Sequence, residues 1–303
     1  MRVLRSMLLA VINGCAGFPA SGICGDITIA LAYLDGAPFA MAAAVPPGLD
    51  AGYPGGNVRI VSREGDTFTL APDLRDTKGW WFYFNFRLRG PADQPVTIRF
   101  ADADPIGVRG PAMSSDGGRT WQWLGRKAVL QSGKKGWSFQ AVVPAGAREA
   151  RYAFAPTYLE SHLRDWLAAH RANPALQVSE LCRSRKGRSV ELLRAGCLDL
   201  EKARGVVLLT ARHHACESMA SNALEGFLTA DGYLPSGVAW NTPASFANGR
   251  PNFYWAGDTF SEARFTGAIE IPYADALGME VHADSARALG RDLARAVLEH
   301  LEK

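Results

Sequence analysis

The sequence predicts an α+β protein of two domains. An antiparallel β-sandwich spans residues 51–150, a layered α/β domain spans 151–303, and residues 1–50 read as a leader or extension. Three observations lead there. The chain has 303 residues, 48% hydrophobic and 21% charged, which is enough apolar surface to build real cores. From Asn57 onward, short runs rich in Val, Ile, Thr and aromatic residues recur between turn signals. Near Pro156 the texture changes to alternating strand-like and helix-like segments.

The elements follow in order. Residues 57–61, 67–70, 80–88, 96–100, 120–124 and 137–143 are predicted strands. Gly55-Gly56, Glu64-Gly65-Asp66, Arg89-Gly90-Pro91 and Ser115-Asp116-Gly117-Gly118 are the turns, since these residue types supply the backbone angles of tight reversals. Within 80–89 the chain alternates, with Phe82, Phe84, Phe86 and Leu88 on one side and Tyr83, Asn85, Arg87 and Arg89 on the other. One apolar and one polar face describe a half-buried strand of an antiparallel sheet, and several such strands in sequence describe a sandwich. Beyond Pro156, residues 158–172 form an amphipathic helix with Leu159, Leu163, Trp166 and Leu167 on one stripe. Residues 178–181 and 189–193 are strand-like, and 205–210 is a continuous apolar run of the kind a buried parallel strand shows. A helix over 218–228, a buried strand over 268–271 and an amphipathic helix over 284–302 complete the chain.

Composition excludes several classes. With 33 basic against 30 acidic side chains, net charge +3, nothing in the balance marks a nucleic-acid binder. The cluster Arg183, Arg185, Lys186 and Arg188 reads as a solvated loop. The cysteines Cys15, Cys24, Cys182, Cys197 and Cys216 contain no CxxC, which excludes a zinc ribbon and a disulfide scaffold and leaves room for one isolated bridge. No apolar run reaches the roughly 18 residues of a membrane span. Arg2, Arg5 and the apolar residues 7–12 suit an export signal, with Cys15 or Ala42-Ala43-Ala44 as places for processing; a cytoplasmic protein fits them equally.

The chemistry concentrates in Leu208-Leu209-Thr210-Ala211-Arg212-His213-His214-Ala215-Cys216-Glu217. A buried strand ends and a His-x-x-Glu pair follows before a helix. Residues three apart point to one side of a turn, so His214 and Glu217 can offer an imidazole nitrogen and a carboxylate oxygen to one zinc ion. An ordinary polar helix start is the alternative reading of the four residues alone.

The surrounding residues resemble the zinc carboxypeptidase family, in particular its cytosolic-carboxypeptidase-like branch. An apolar strand leading into Arg212, His214, Glu217 and Ser218, then a helix ending Gly226-Phe227-Leu228, resembles that family's metal-binding turn. Phe154-Ala155-Pro156-Thr157-Tyr158 looks like the entry to its catalytic domain, and Ser184-Arg185-Lys186-Gly187-Arg188-Ser189-Val190 like its Ser-x-x-Gly-Arg strand turn. Trp80-Trp81-Phe82-Tyr83-Phe84 and Ser115-Asp116-Gly117-Gly118-Arg119-Thr120-Trp121 resemble the aromatic β-sandwich that precedes the enzyme domain in this branch. Phe265-Thr266-Gly267-Ala268-Ile269-Glu270-Ile271-Pro272-Tyr273 resembles the strand bearing the catalytic glutamate.

The resemblance implies a zinc-carboxypeptidase-like domain of three layers around a mixed sheet, one zinc ion on His214 and Glu217, and a substrate that is the C terminus of a peptide or protein. Glu270 is implied as general base. Arg212 would polarise the carbonyl or orient substrate, or else pair with a nearby acid. The family also has a third ligand, a histidine, and an Asn-Arg pair that holds the substrate carboxylate, both between the positions of Glu217 and Glu270. Here residues 218–269 contain no histidine, and a central block of the family domain looks deleted. Other candidates for a third ligand are His213, Cys216, Asp258 and His282, with His162, His170 and His300 on helices. A catalytically inactive peptide- or glycan-binding protein on the same fold is the rival expectation. In it Trp80, Trp81, Trp121, Trp123 and Trp137 line a surface, although core packing is the favoured reading of these tryptophans.

Overall fold

The computed structural model describes residues 7–12, 46–75, 79, 82–100, 104–131, 136–199, 202, 206–212, 214, 216–229, 258–259, 263 and 266–301. The chain is α+β, with antiparallel and mixed sheets. It divides into two compact units, Gly14–Ser161 and a second made of Met1–Asn13 with His162–Lys303. Strand β1 (Met7–Ile12) therefore belongs to the second unit.

The first unit holds two five-stranded sheets. Its strands are β2 (Gly48–Asp50), β3 (Arg59–Glu64), β4 (Thr67–Ala71), β5 (Asn85–Arg89) and β6 (Val96–Phe100), then β7 (Ala112–Ser114), β8 (Gln122–Trp123), β9 (Leu130–Gln131), β10 (Trp137–Ala141) and β11 (Ala150–Ala153). One sheet has the order β3-β4-β6-β10-β9 and the other β2-β5-β11-β7-β8. Pairing is antiparallel except between β4 and β6, which run parallel because β5 between them lies in the other sheet.

Alternation builds the core. Phe68 and Leu70 on β4, Val96, Ile98 and Phe100 on β6, and Phe139 on β10 are buried, as are Phe84, Phe86, Leu88 and Tyr152 from the other sheet. Rings from the two sheets meet: Phe84 and Phe100 lie 5.0 Å apart, Phe139 and Tyr152 5.7 Å. Each such pair adds about 1 kcal/mol beyond its buried area. The Tyr152 hydroxyl donates to the Val142 carbonyl at 2.7 Å and accepts from its amide at 2.8 Å. Burial pushes that phenol up to about 12.

The strand expected over 80–88 begins only at Asn85; Trp80 and Trp81 lie outside the described residues. Asn85, on the expected polar side, is itself buried. It accepts from the Tyr53 hydroxyl at 2.7 Å and donates to the Gly55 carbonyl at 3.0 Å, so its amide is satisfied without water. Beyond it Arg87 donates to Asp50 at 2.8 Å, while Arg87 and Arg151 both stack on the Tyr53 ring. The strand expected over 120–124 shrinks to the two residues of β8, because Asp116 gathers residues 114–120 into a turn. Trp121, Trp123 and Trp137 are half-buried.

Helix α1 (Glu160–Ala169) follows β11, enters the second unit at His162 and buries Leu163. β12 (Leu176–Arg183) and β13 (Ser189–Ala195) form a hairpin, and β14 (Val206–Ala211) leads to α2 (Ser218–Leu228). The sheet order is β12-β13-β1-β14, with β1 antiparallel to β13 and parallel to β14. The part of the expected apolar run that lies in β14, residues 206–210, is thus in a parallel pair. It is not fully buried, since β14 is the last strand described on its side of the sheet and Leu208 is 41% exposed. After α2 come the two-residue strands β15 (Asp275–Ala276) and β16 (Met279–Glu280), then α3 (Ala283–Leu301). The strand expected over 268–271 is absent: these residues are exposed apart from half-buried Ile271, and carry no ladder. Their β propensity has no described partner strand to act on.

Helices α2 and α3 pack closely at two glycines. A Cβ on Gly226 would fall 1.8 Å from the Arg287 carbonyl oxygen, and one on Gly290 would fall 1.7 Å from that of Ala223. Beside this contact the buried Glu225 accepts from Arg287 Nε at 2.8 Å. Met219, Val281 and Ala286 form a small core, with Ile271 and Ala276 packed against it.

Candidate functional site

β14 ends and the chain turns at once. Arg212 takes a left-handed backbone with φ 60°, which costs a residue bearing a Cβ about 1 kcal/mol. Its side chain is buried rather than directed to solvent. The reversal brings His214 and Glu217 into one turn ahead of α2. The Glu217 amide donates to the His214 carbonyl at 3.2 Å, and the His214 amide donates to Glu217 Oε2 at 3.0 Å. The imidazole Nδ1 lies 2.5 Å from Glu217 Oε1. The imidazole is 58% exposed and the carboxylate 26%, so the pair is open to an incoming group. Glu217 sits at the N-cap of α2, where the positive end of the helix favours a carboxylate.

Cys216, between the two, points inward: it is 1% exposed, and its Sγ lies 3.9 Å from the Tyr273 hydroxyl. Burial, and then the negative charges of Cys216, Glu217 and Glu270, push the Tyr273 phenol well above its ordinary value. Tyr273 is therefore close enough to feel both carboxylates. Glu270 itself is exposed, on a segment without regular secondary structure. Sequence reasoning assigned no role to Tyr273, and no spacing rule links it to Cys216, 57 residues away.

The described residues do not make a complete zinc site. A catalytic zinc takes three protein ligands, and among the described residues no group of three or more His, Cys, Asp or Glu side chains converges. Nδ1 and Oε1 also stand at direct hydrogen-bond distance, whereas two donors sharing one zinc stand about 3.3 Å apart. Among the candidates for a third ligand, His213 lies outside the described residues. His282 is engaged at the start of α3, where its amide donates to Ser285 Oγ at 2.9 Å and the Ser285 amide donates to its Nδ1 at 3.4 Å. His170 stacks on Trp166 and hydrogen-bonds through Nδ1 with the Trp166 carbonyl. The described cysteines, Cys182, Cys197 and Cys216, are not disulfide-bonded.

No family model matches the chain. A crystal structure of a "putative carboxypeptidase" from Burkholderia mallei is similar at 25% identity and a TM-score of 0.52, over 62% of this chain and 48% of that one. A "putative carboxypeptidase A" from Shewanella denitrificans is similar at 23% identity and a TM-score of 0.50, over 60% of this chain and 48% of that one. An uncharacterized protein of Zymomonas mobilis is 24% identical over 191 residues, 59% of this chain and 46% of that protein. The match amounts to about half the length of each relative. The fold is that of a zinc-carboxypeptidase-like protein. Among the described residues no helix is long and apolar enough to cross a membrane.

Proposed function

We propose that this chain is a metallocarboxypeptidase-like protein of the cytosolic-carboxypeptidase branch, acting on the C termini of peptides or proteins. In this reading residues 51–150 are the β-sandwich that precedes the peptidase domain of 151–303, and the central part of that domain is shortened. His214 and Glu217 are two zinc donors, Glu270 is the general base, and Arg212 orients substrate. One observation carries the reading: a sharp turn out of β14 brings His214 and Glu217 face to face at the head of α2. The contacts of the neighbouring residues, Tyr273 with Cys216 and Ile271 with the Met219 cluster, support including Glu270. The same two-donor set favours a second reading, a catalytically inactive peptide- or glycan-binding protein on this fold.

The test is release of the C-terminal residue from a panel of N-blocked peptides, with zinc in excess. Glu270→Gln is expected to abolish release by a factor of about 100 or more while leaving peptide affinity within about twofold. Peptide binding without release by the parent chain would select the second reading. Release undiminished in Glu270→Gln would remove the assignment of the base.

A further inference from the structure

Glu270 lies on a segment that no ladder holds, yet two contacts fix that segment. Ile271 packs against the cluster of Met219, Val281 and Ala286, which joins it to α2 and α3. Two residues on, the Tyr273 hydroxyl meets the Cys216 thiol at 3.9 Å, within hydrogen-bonding reach for sulfur. Ile271 and Tyr273 are half-buried at these contacts, whereas Glu270 beside them is exposed. Cys216 is buried in the turn that presents His214 and Glu217.

We propose that Tyr273 is a positioning residue: through the buried Cys216 thiol it ties the Glu270 segment to the His214–Glu217 turn and sets the distance between the base and the donor pair. The inference uses the residue roles given under the proposed function, but the tether is a physical link that exists with or without turnover. Packing alone asks only for the aromatic ring; the tether asks for the oxygen. Tyr273→Phe separates the two.

Hydrogen–deuterium exchange of the full chain reads the link directly. Tyr273→Phe is expected to speed amide exchange over residues 266–274 about fivefold, the effect of losing one net hydrogen bond. Cys216→Ala is expected to do the same, and the double variant to add little to either, as two halves of one contact must. Exchange over 266–274 that is unchanged in Tyr273→Phe overturns the proposal, as does full additivity of the two variants. Where the parent chain releases C-terminal residues, Tyr273→Phe is expected to lower kcat with KM nearly unchanged. Where it releases none, the exchange result still decides the tether, and the failure falls on the proposed reaction.

Discussion

Asp116 shows how one side chain can organise a loop. It accepts from the amides of Arg119 and Thr120 and from the hydroxyls of Ser114 and Thr120, at 2.6 to 3.0 Å. Partial burial acts to raise its pKa, but the hydrogen bonds from Thr120, Ser114 and Arg119 outweigh this and hold the carboxyl at about 2, against an ordinary 3.8. A carboxyl depressed in the folded state contributes stability that is fully present above its unfolded value and is lost as pH falls through the folded one. The contribution is therefore expected to fade between pH 4 and pH 2. Because Asp116 is partly exposed, solvent screening reduces it to about 1 kcal/mol. Asp116→Asn is expected to lower the urea midpoint at pH 7 by that equivalent and to flatten its acid dependence between pH 4 and 2. An unchanged acid slope in the variant would show that the loop does not depend on this carboxylate. The turn was legible in the sequence because Ser115-Asp116-Gly117-Gly118 are local turn formers, two of them glycines with positive φ. The Cys216–Tyr273 contact was not, since it joins residues distant in sequence through side chains whose types forbid nothing and require nothing.

At the scale of elements, α2 was legible to the residue because its apolar period and its boundaries agree. The segment over 268–271 misled for the opposite reason. Ala-Ile-Glu-Ile has the composition of a strand, but a strand exists only where a neighbour offers a ladder, and that is a property of the sheet rather than of four residues. Asn85 misled in a third way, because a polar residue on the outer face of β5 was covered by Tyr53. The packing of α2 on α3 allows a prediction whose sign is informative. Replacing a glycine in a helix by alanine ordinarily stabilises it by about 1 kcal/mol. At Gly290 the added methyl would meet the Ala223 carbonyl oxygen at 1.7 Å, and this is backbone that cannot swing aside. Overpacking of this kind costs about 1–3 kcal/mol, so Gly290→Ala is expected to lower the melting temperature despite its better helix propensity. A raised melting temperature would mean that the helices can separate without loss.

For the whole molecule, the α+β class followed from patterning, whereas the state of the metal site depends on how many donors the complete fold brings together. The chain matches its relatives over about half their length, and the described residues bring two donors together where three are needed. Zinc-linked melting measures what that means for this chain, because a ligand bound by the folded state alone stabilises it by an amount set by its concentration over its Kd. Two protein donors that must first give up a direct hydrogen bond to each other are expected to hold zinc weakly. At about 100 μM zinc the stabilisation that His214→Ala abolishes should stay below about 1 kcal/mol, which corresponds to a Kd no tighter than about 20 μM. A site with three protein donors would reach a Kd of about 1 μM or tighter and add about 2.7 kcal/mol or more at the same concentration. The larger shift would mean that another residue of the chain completes the site and would strengthen the hydrolytic reading with Glu270 as base. The smaller one would leave His214 and Glu217 as a hydrogen-bonded pair at the head of α2 and favour a protein that binds C termini without cleaving them.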